Sequence, residues 1–252
     1  MAALKSAAFL VLAILATANV VFGKLPSYIK ACKVDENLES CVLSQQASVI
    51  ARIRDGDPAN KIESLNPFVV SSLKILDNGA SRNVAMNVTF KNLKLWGLPD
   101  GRITSFRLDP KEKTIAWTLE DMKLVKIVSD YSVTGKILFL PLQGTGQAEL
   151  SMRGLKVFFW LRYDELKRGG KKIMVIKRFE TTHVLEKLSI RMDNLFNGDN
   201  VLEENINVVM NDNWEELNRQ LGPPLVRAIG LACKPMIDRI VAGGGLEEMF
   251  IF

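Results

Sequence analysis

The stretch NVLEENINVVMNDNWEELNRQLGPPLVRAIGLACKPMIDRIV occupies residues 200–241, and its reading decides the fold. Leu202, Ile206, Val209, Met210, Trp214, Leu217, Leu221, Leu225, Ile229, Cys233, Met236 and Ile240 recur in steps of three or four. That spacing puts one apolar stripe on an α-helix. Asn200 is expected as the N-cap, with Glu203 and Glu204 in the first turn, where the helix dipole favours acids. Gly222-Pro223-Pro224 is expected to kink or briefly break the helix, and Pro235 to perturb it again. Some 40 helical residues extend roughly 60 Å. No compact chain of this size hides that length in its middle, so the stripe must lie along something equally long.

The partner is upstream. From about residue 82 to 196 the apolar period changes from three or four to two. Met86, Val88 and Phe90 share one strand face with Val84, and Ala85, Asn87, Thr89 and Lys91 share the other. Ile115, Trp117 and Leu119 repeat the theme, and further strands follow through about residue 196. Glycines 144, 146 and 154 inside these patterns predict bulges or sharp bends, and KRGGKK at 167–172 predicts a hairpin turn. The class is therefore α+β: a long C-terminal helix wrapped by a highly curved antiparallel sheet. A sheet curving around a rod leaves space where the radii mismatch, and unless bulky residues fill it, that space is an elongated apolar tunnel.

The chain begins with Lys5 followed by an apolar run from Ala7 to Phe22 that stops at Gly23. This reads as a cleaved secretory signal over residues 1–23, followed by a single domain over 24–252. A membrane anchor needs about 20 apolar residues, more than this run supplies. In an oxidising compartment Cys32 and Cys41, nine positions apart, should close into a disulfide. Zinc would need two more ligands, and the single histidine, His183, is far away. Cys233 is left over in an apolar helical setting and reads as a buried, inert thiol. A first helix is expected over about 36–54, and Asn87-Val88-Thr89 is a glycosylation sequon.

Composition excludes several functions. The formal charge is +5, or about +4 without Lys5, and the basic residues are scattered among acidic ones. Nucleic-acid binding would want a basic stripe with interleaved aromatics. Nucleophilic hydrolysis needs a base and an orienting group beside a Ser or Cys, and the chain has neither a second histidine nor a Gly-x-Ser-x-Gly elbow. No enzymatic activity, metal or cofactor is expected.

Four stretches carry a family likeness: LPSYIKACKVDENLESCV, GDPANKIESLNPFVV, NVTFKNLKLWGL and NLFNGDNVLEENINVVMNDNWEEL. Together they resemble the Takeout and juvenile hormone-binding protein family of insects, over about residues 24–250. The resemblance implies one long helix wrapped by a curved sheet around a hydrophobic tunnel, as in tubular lipid-binding proteins. The family's haemolymph hormone carriers have a second disulfide, which Cys233 cannot make here, so the chain resembles the Takeout branch more closely.

The expected activity is that of a secreted, monomeric carrier for a small hydrophobic ligand, with at most transient membrane contact. Candidate ligand-binding residues from the inward strand faces and the helix stripe are Phe68, Val70, Met86, Val88, Phe90, Ile115, Trp117, Leu119, Phe139, Phe159, Met192, Val209, Met210 and Trp214. Tyr131 or His183 is a candidate partner for the ligand's polar end. The alternative from another class is a secreted interaction protein whose interior its own side chains fill. Capture of membrane lipid is a third reading.

Overall fold

A computed structural model describes residues 25–76, 84–137, 140–168, 170–196 and 199–252. The leader read at 1–23 and the candidate Phe139 lie outside them.

Strand β1 (Cys32–Lys33) leads into helix α1 (Leu38–Ile53), and a disulfide joins Cys32 to Cys41 across them. The observed helix lies within the span expected for it. Strands β2 (Phe68–Ile75), β3 (Val84–Trp96), β4 (Arg102–Asp109), β5 (Thr114–Met122), β6 (Val125–Ile137), β7 (Leu140–Arg153), β8 (Leu155–Arg168), β9 (Lys171–Val184) and β10 (Lys187–Met192) follow. Helices α2 (Asn200–Asp212), α3 (Trp214–Gly243) and α4 (Leu246–Met249) come next, and strand β11 (Phe250–Ile251) pairs in parallel with β1. Both ends of the described chain are thereby tied together.

The strands form two curled antiparallel sheets rather than one. The order is β10-β7-β6-β3-β2 in the first and β4-β5-β8-β9 in the second. Period-two burial holds along β3 and β8, whose inward rows are Met86, Val88, Phe90 and Val157, Leu161, Tyr163. The hairpin expected at 167–172 is present, with Arg168 paired to Lys171. Register shifts interrupt the ladders at Lys91/Lys94, Ile103/Ser105, Leu119/Met122 and Arg162/Tyr163. Such bulges bend a strand and raise its twist.

None of these bulges falls at the expected glycines. The β6–β7 ladder runs through Gly144 and Gly146 without a slip. These residues are small because another chain segment crosses them: a Cβ on Gly146 would sit 2.2 Å from the Asp193 carbonyl oxygen. Gly154, with φ of +60°, is the turn between β7 and β8.

The long helix also differs from expectation. It breaks at Asn213 (φ −109°, ψ 26°), not at Gly222-Pro223-Pro224, and α3 continues through Pro223, Pro224 and Pro235. All three prolines are exposed, so the carbonyls they leave without intrahelical donors lie on the solvent side, where water satisfies them. The N-cap is Asp199, one residue before the expected Asn200, and its side chain accepts from Val201 N and Leu202 N. At 30 residues α3 is about 45 Å long. It packs chiefly on β9, and also on β10 and β2, bridging the two sheets along its length.

Helical side chains guard two sheet edges. On β10, Met192 N donates to Asn207 Oδ1 and Asn207 Nδ2 donates to Met192 O; Asn211 does the same with Ile190. On β4, Gln46 pairs with both backbone groups of Ile103, and Glu39 accepts from Phe106 N. These side chains stand in for a missing strand and keep the edges from recruiting another chain.

Candidate ligand cavity

The two sheets enclose two cores. The first joins the five-stranded sheet to α2 and most of α3; the second joins the four-stranded sheet to α4, β11 and the disulfide. Phe159 packs against both.

A cavity of about 80 Å³ lies in the first core. Met86, Val88 and Phe90 of β3 face it with Ile75 of β2. Leu150 and Met152 of β7 stand opposite Ile190 and Leu188 of β10, and Met192 continues that row. From the helices come Met210, Leu217, Leu221, Leu225 and Val226. The lining is apolar except for His183 and Asn218.

Those two polar residues are held by helix-to-strand contact. His183 Nε2 lies 2.9 Å from Asn218 Oδ1, an oxygen that accepts, so Nε2 carries the proton. Gly222, one helical turn after Asn218, lets α3 approach this closely. A Cβ there would sit 2.5 Å from Asn218 Oδ1 and 2.8 Å from the His183 ring. The glycine read as part of a helix break is therefore a packing site.

Of the sequence candidates, Met86, Val88, Phe90, Met192 and Met210 line this cavity. Phe68 is buried in the first core, with Val70, Leu119, Val209 and Trp214 packed against it, yet none of these lines the void. Trp214 instead places its ring 5.2 Å from the Lys187 ammonium. Ile115 belongs to the second core. Trp117 stacks on Phe159 with centroids 4.8 Å apart, and Phe179 tilts against both.

Of the two polar candidates, His183 lines the cavity and Tyr131 does not. The Tyr131 hydroxyl donates to the Asp193 carbonyl oxygen at 2.7 Å. Burial, then the charges of Glu203 and Asp193, pushes this phenol up to about 12. Sequence reasoning passed over Ile75, Leu150, Met152, Leu188, Asn218 and Gly222. Leu217, Leu221 and Leu225 already stood on the helix stripe, but periodicity does not tell which stripe residues meet a void.

The arrangement suits apolar burial more than bond chemistry. The His183 Nε2 that faces Asn218 is committed to it, and Cys233 has its thiol pushed up to about 12 by burial, with Glu63 adding to it. A thiol so far from ionisation is a poor nucleophile. Among the described residues no group of three His, Cys, Asp or Glu is placed to hold a metal, and no helix is long and apolar enough to cross a membrane.

The family model for haemolymph juvenile hormone binding protein matches residues 9–251. The chain belongs to that family. Its members bind hydrophobic ligands, in keeping with the apolar lining. The circadian clock-controlled protein daywake of Drosophila melanogaster is 24% identical over 230 residues, covering 89% of this chain and 88% of that one. The Drosophila yakuba daywake is 23% identical over the same length. The crystal structure of Epiphyas postvittana Takeout 1 superposes with a TM-score of 0.78 at 21% identity, covering 89% of this chain and all of that one. At that identity the likeness speaks to the fold, which is the Takeout fold of curled sheets along a long C-terminal helix.

Proposed function

We propose that the protein is a secreted carrier that holds a small, elongated lipophilic molecule, such as a terpenoid hormone or a fatty acid, between the five-stranded sheet and α3. The observation that carries this reading is an interior void lined by apolar side chains with one polar pair, His183 and Asn218, at its wall. Apolar surface supplies the affinity: a ligand with roughly 400 Å² of it gains about 10 kcal/mol gross at 25 cal/mol per Å². Translational and ordering costs take part of that. The His183–Asn218 pair receives the polar end, and no catalytic group is required.

The void must widen to do this. At about 80 Å³ it is smaller than the ~150 Å³ cavity that admits benzene. Four methionines, Met86, Met152, Met192 and Met210, line it, and unbranched thioether chains re-pack at low cost. The candidates beyond the lining, from Phe68 and Val70 to Trp117 and Phe159, are the ones a longer ligand would displace.

The proposal includes removal of residues 1–23, a single domain over 24–252, a monomeric state, no nucleic-acid partner and a glycan on Asn87, which is exposed on the outer face of β3. The narrowness of the void favours one other reading, a secreted interaction protein without lipid. Organic extraction of protein purified from its own source, with mass spectrometry, separates the two. Bound lipid and uptake of a fluorescent fatty acid are expected; repeated absence of both would leave the interaction reading.

A further inference from the structure

An open groove of about 470 Å³ crosses the outer face of the four-stranded sheet and shares no lining residue with the interior cavity. It lies within the size range of small-ligand sites. Its lining comes from β4, β5, β8 and β9 in their order across the sheet, and three gaps between strands span roughly 14 Å. Phe158 and Trp160, successive outward residues of β8 roughly 7 Å apart, both line it. Phe158 is 40% exposed. A single exposed aromatic is ordinary, but two side by side in a groove are not. A hollow outside the five-stranded sheet is lined instead by Thr89, Lys91, Asp130, Ser132 and Thr145, and Tyr131 there is buried.

The aromatic platform is held in place. Glu180 Oε1 accepts from Arg178 Nε at 2.6 Å, and the Arg178 guanidinium stacks 5.6 Å from the Trp160 ring centroid. Arg178 stands outside the groove, opposite Arg162, so it braces one side of the indole and leaves the other to the groove. On the inner face of the same sheet Trp117 stacks on Phe159 and stiffens the strands beneath.

Polar groups surround the rings. Thr118 and Thr182 stand opposite Phe158 on the neighbouring strands. Ser105 Oγ donates to Thr118 Oγ1 at 2.8 Å, which leaves the threonine proton to donate elsewhere. Glu39 Oε1 accepts from Phe106 N and Glu180 Oε1 from Arg178, so each carboxylate keeps a second oxygen for another donor. The side chains of Arg107 and Thr182 make no hydrogen bond or ion pair with the described residues.

One ligand class matches this combination. A sugar ring has an apolar face of C–H groups and a rim of hydroxyls that both donate and accept. Aromatic rings take the face, and carboxylates, hydroxyls and a guanidinium take the rim. A wholly apolar partner would cover those polar groups without pairing them. Two carboxylates, Glu39 and Glu180, stand against one guanidinium, Arg107, in the lining, so a sulfated or carboxylated chain is disfavoured. We propose that this groove binds a neutral oligosaccharide, stacked on Trp160 and Phe158 and hydrogen-bonded through Glu39, Arg107, Thr118 and Glu180. None of these residues lines the interior cavity, so the site stands apart from the carrier reading.

Chitohexaose, laminarihexaose and maltohexaose, titrated against the protein by tryptophan fluorescence and saturation-transfer NMR, test it, with a heparin hexasaccharide as the anionic contrast. At least one neutral hexasaccharide should bind saturably with a Kd below about 1 mM, and the heparin fragment at least about tenfold more weakly. Trp160→Ala should weaken the neutral sugar at least about tenfold, and Phe158→Ala about three- to tenfold, as expected for aromatic anchors. Phe158→Ala trims an exposed side chain, so it decides the matter where Trp160→Ala fails to fold. Absence of saturable binding by all three neutral probes would overturn the assignment, as would heparin binding equally well or unchanged affinity in the folded variants. A glycoprotein bearing a neutral high-mannose chain, tested with and without that chain, tells the source. Tighter binding with the chain places the ligand on a protein; equal binding, with affinity for the free hexasaccharides kept, places it in free glycan.

Discussion

The two cores are built from different materials. The first, under the five-stranded sheet, is walled by methionine, leucine and isoleucine and keeps a void. The second, under the four-stranded sheet, holds the Trp117–Phe159–Phe179 group and is closed by the disulfide, α4 and the β1–β11 pair. Flexible unbranched chains tolerate space, whereas stacked rings and tied termini resist it. One end of the molecule is thus arranged to yield and the other to hold.

The largest effect that tests this contrast should come from truncation at the rigid end. Leu161→Ala should cost about 2–5 kcal/mol by urea midpoint, the range for a fully packed leucine. Met152→Ala, on the cavity wall, should cost less than half of that and raise uptake of a bulky apolar probe, because the neighbouring space is already empty. Equal losses at the two positions would erase the distinction between the cores.

Removing the covalent tie comes next. Cys32→Ser with Cys41→Ser should lower stability by about 2–3 kcal/mol while leaving probe affinity at the cavity unchanged in the folded fraction. A parallel loss of affinity would show that the two ends are coupled.

Asn211→Ala should cost about 1–3 kcal/mol by stranding both backbone groups of Ile190 at the edge of the yielding sheet. The accompanying sign is faster hydrogen exchange at the Ile190 amide; unchanged exchange would mean that water replaces the asparagine freely.

The smallest effect at neutral pH is an alkaline one. All three tyrosines, Tyr28, Tyr131 and Tyr163, sit above their ordinary value of 10.0, with burial the leading cause in each, and Tyr131 is pushed up to about 12. A folded value above the unfolded one gives stability that is complete below pH 10 and lost as pH climbs towards 12. Tyrosinate absorbance should therefore appear late and rise together with unfolding. Three tyrosines titrating near pH 10 in still-folded protein would contradict the burial described here.

Much of this architecture was legible from periodicity. The change from period two to period three or four separated the strands from the terminal helix, and the leader's composition led to the disulfide between Cys32 and Cys41. Local rules misled where the environment overrode them. Gly222-Pro223-Pro224 looks like a helix break, but its prolines face water and its glycine meets His183, so the helix runs through. Gly144 and Gly146 look like bulges, but the backbone at Asp193–Leu195 crosses them. Asn207 and Asn211 carry no mark in the helix pattern of their pairing with β10, which depends on a strand that folding lays beside them.

The order of apolar and polar residues along this chain determined which segments become strand or helix and which faces turn inward, because a fixed backbone repeat carries that information locally. Where the inward faces meet tightly and where they leave a gap depend on side chains distant in sequence that only folding brings together. Tertiary packing alone decided those.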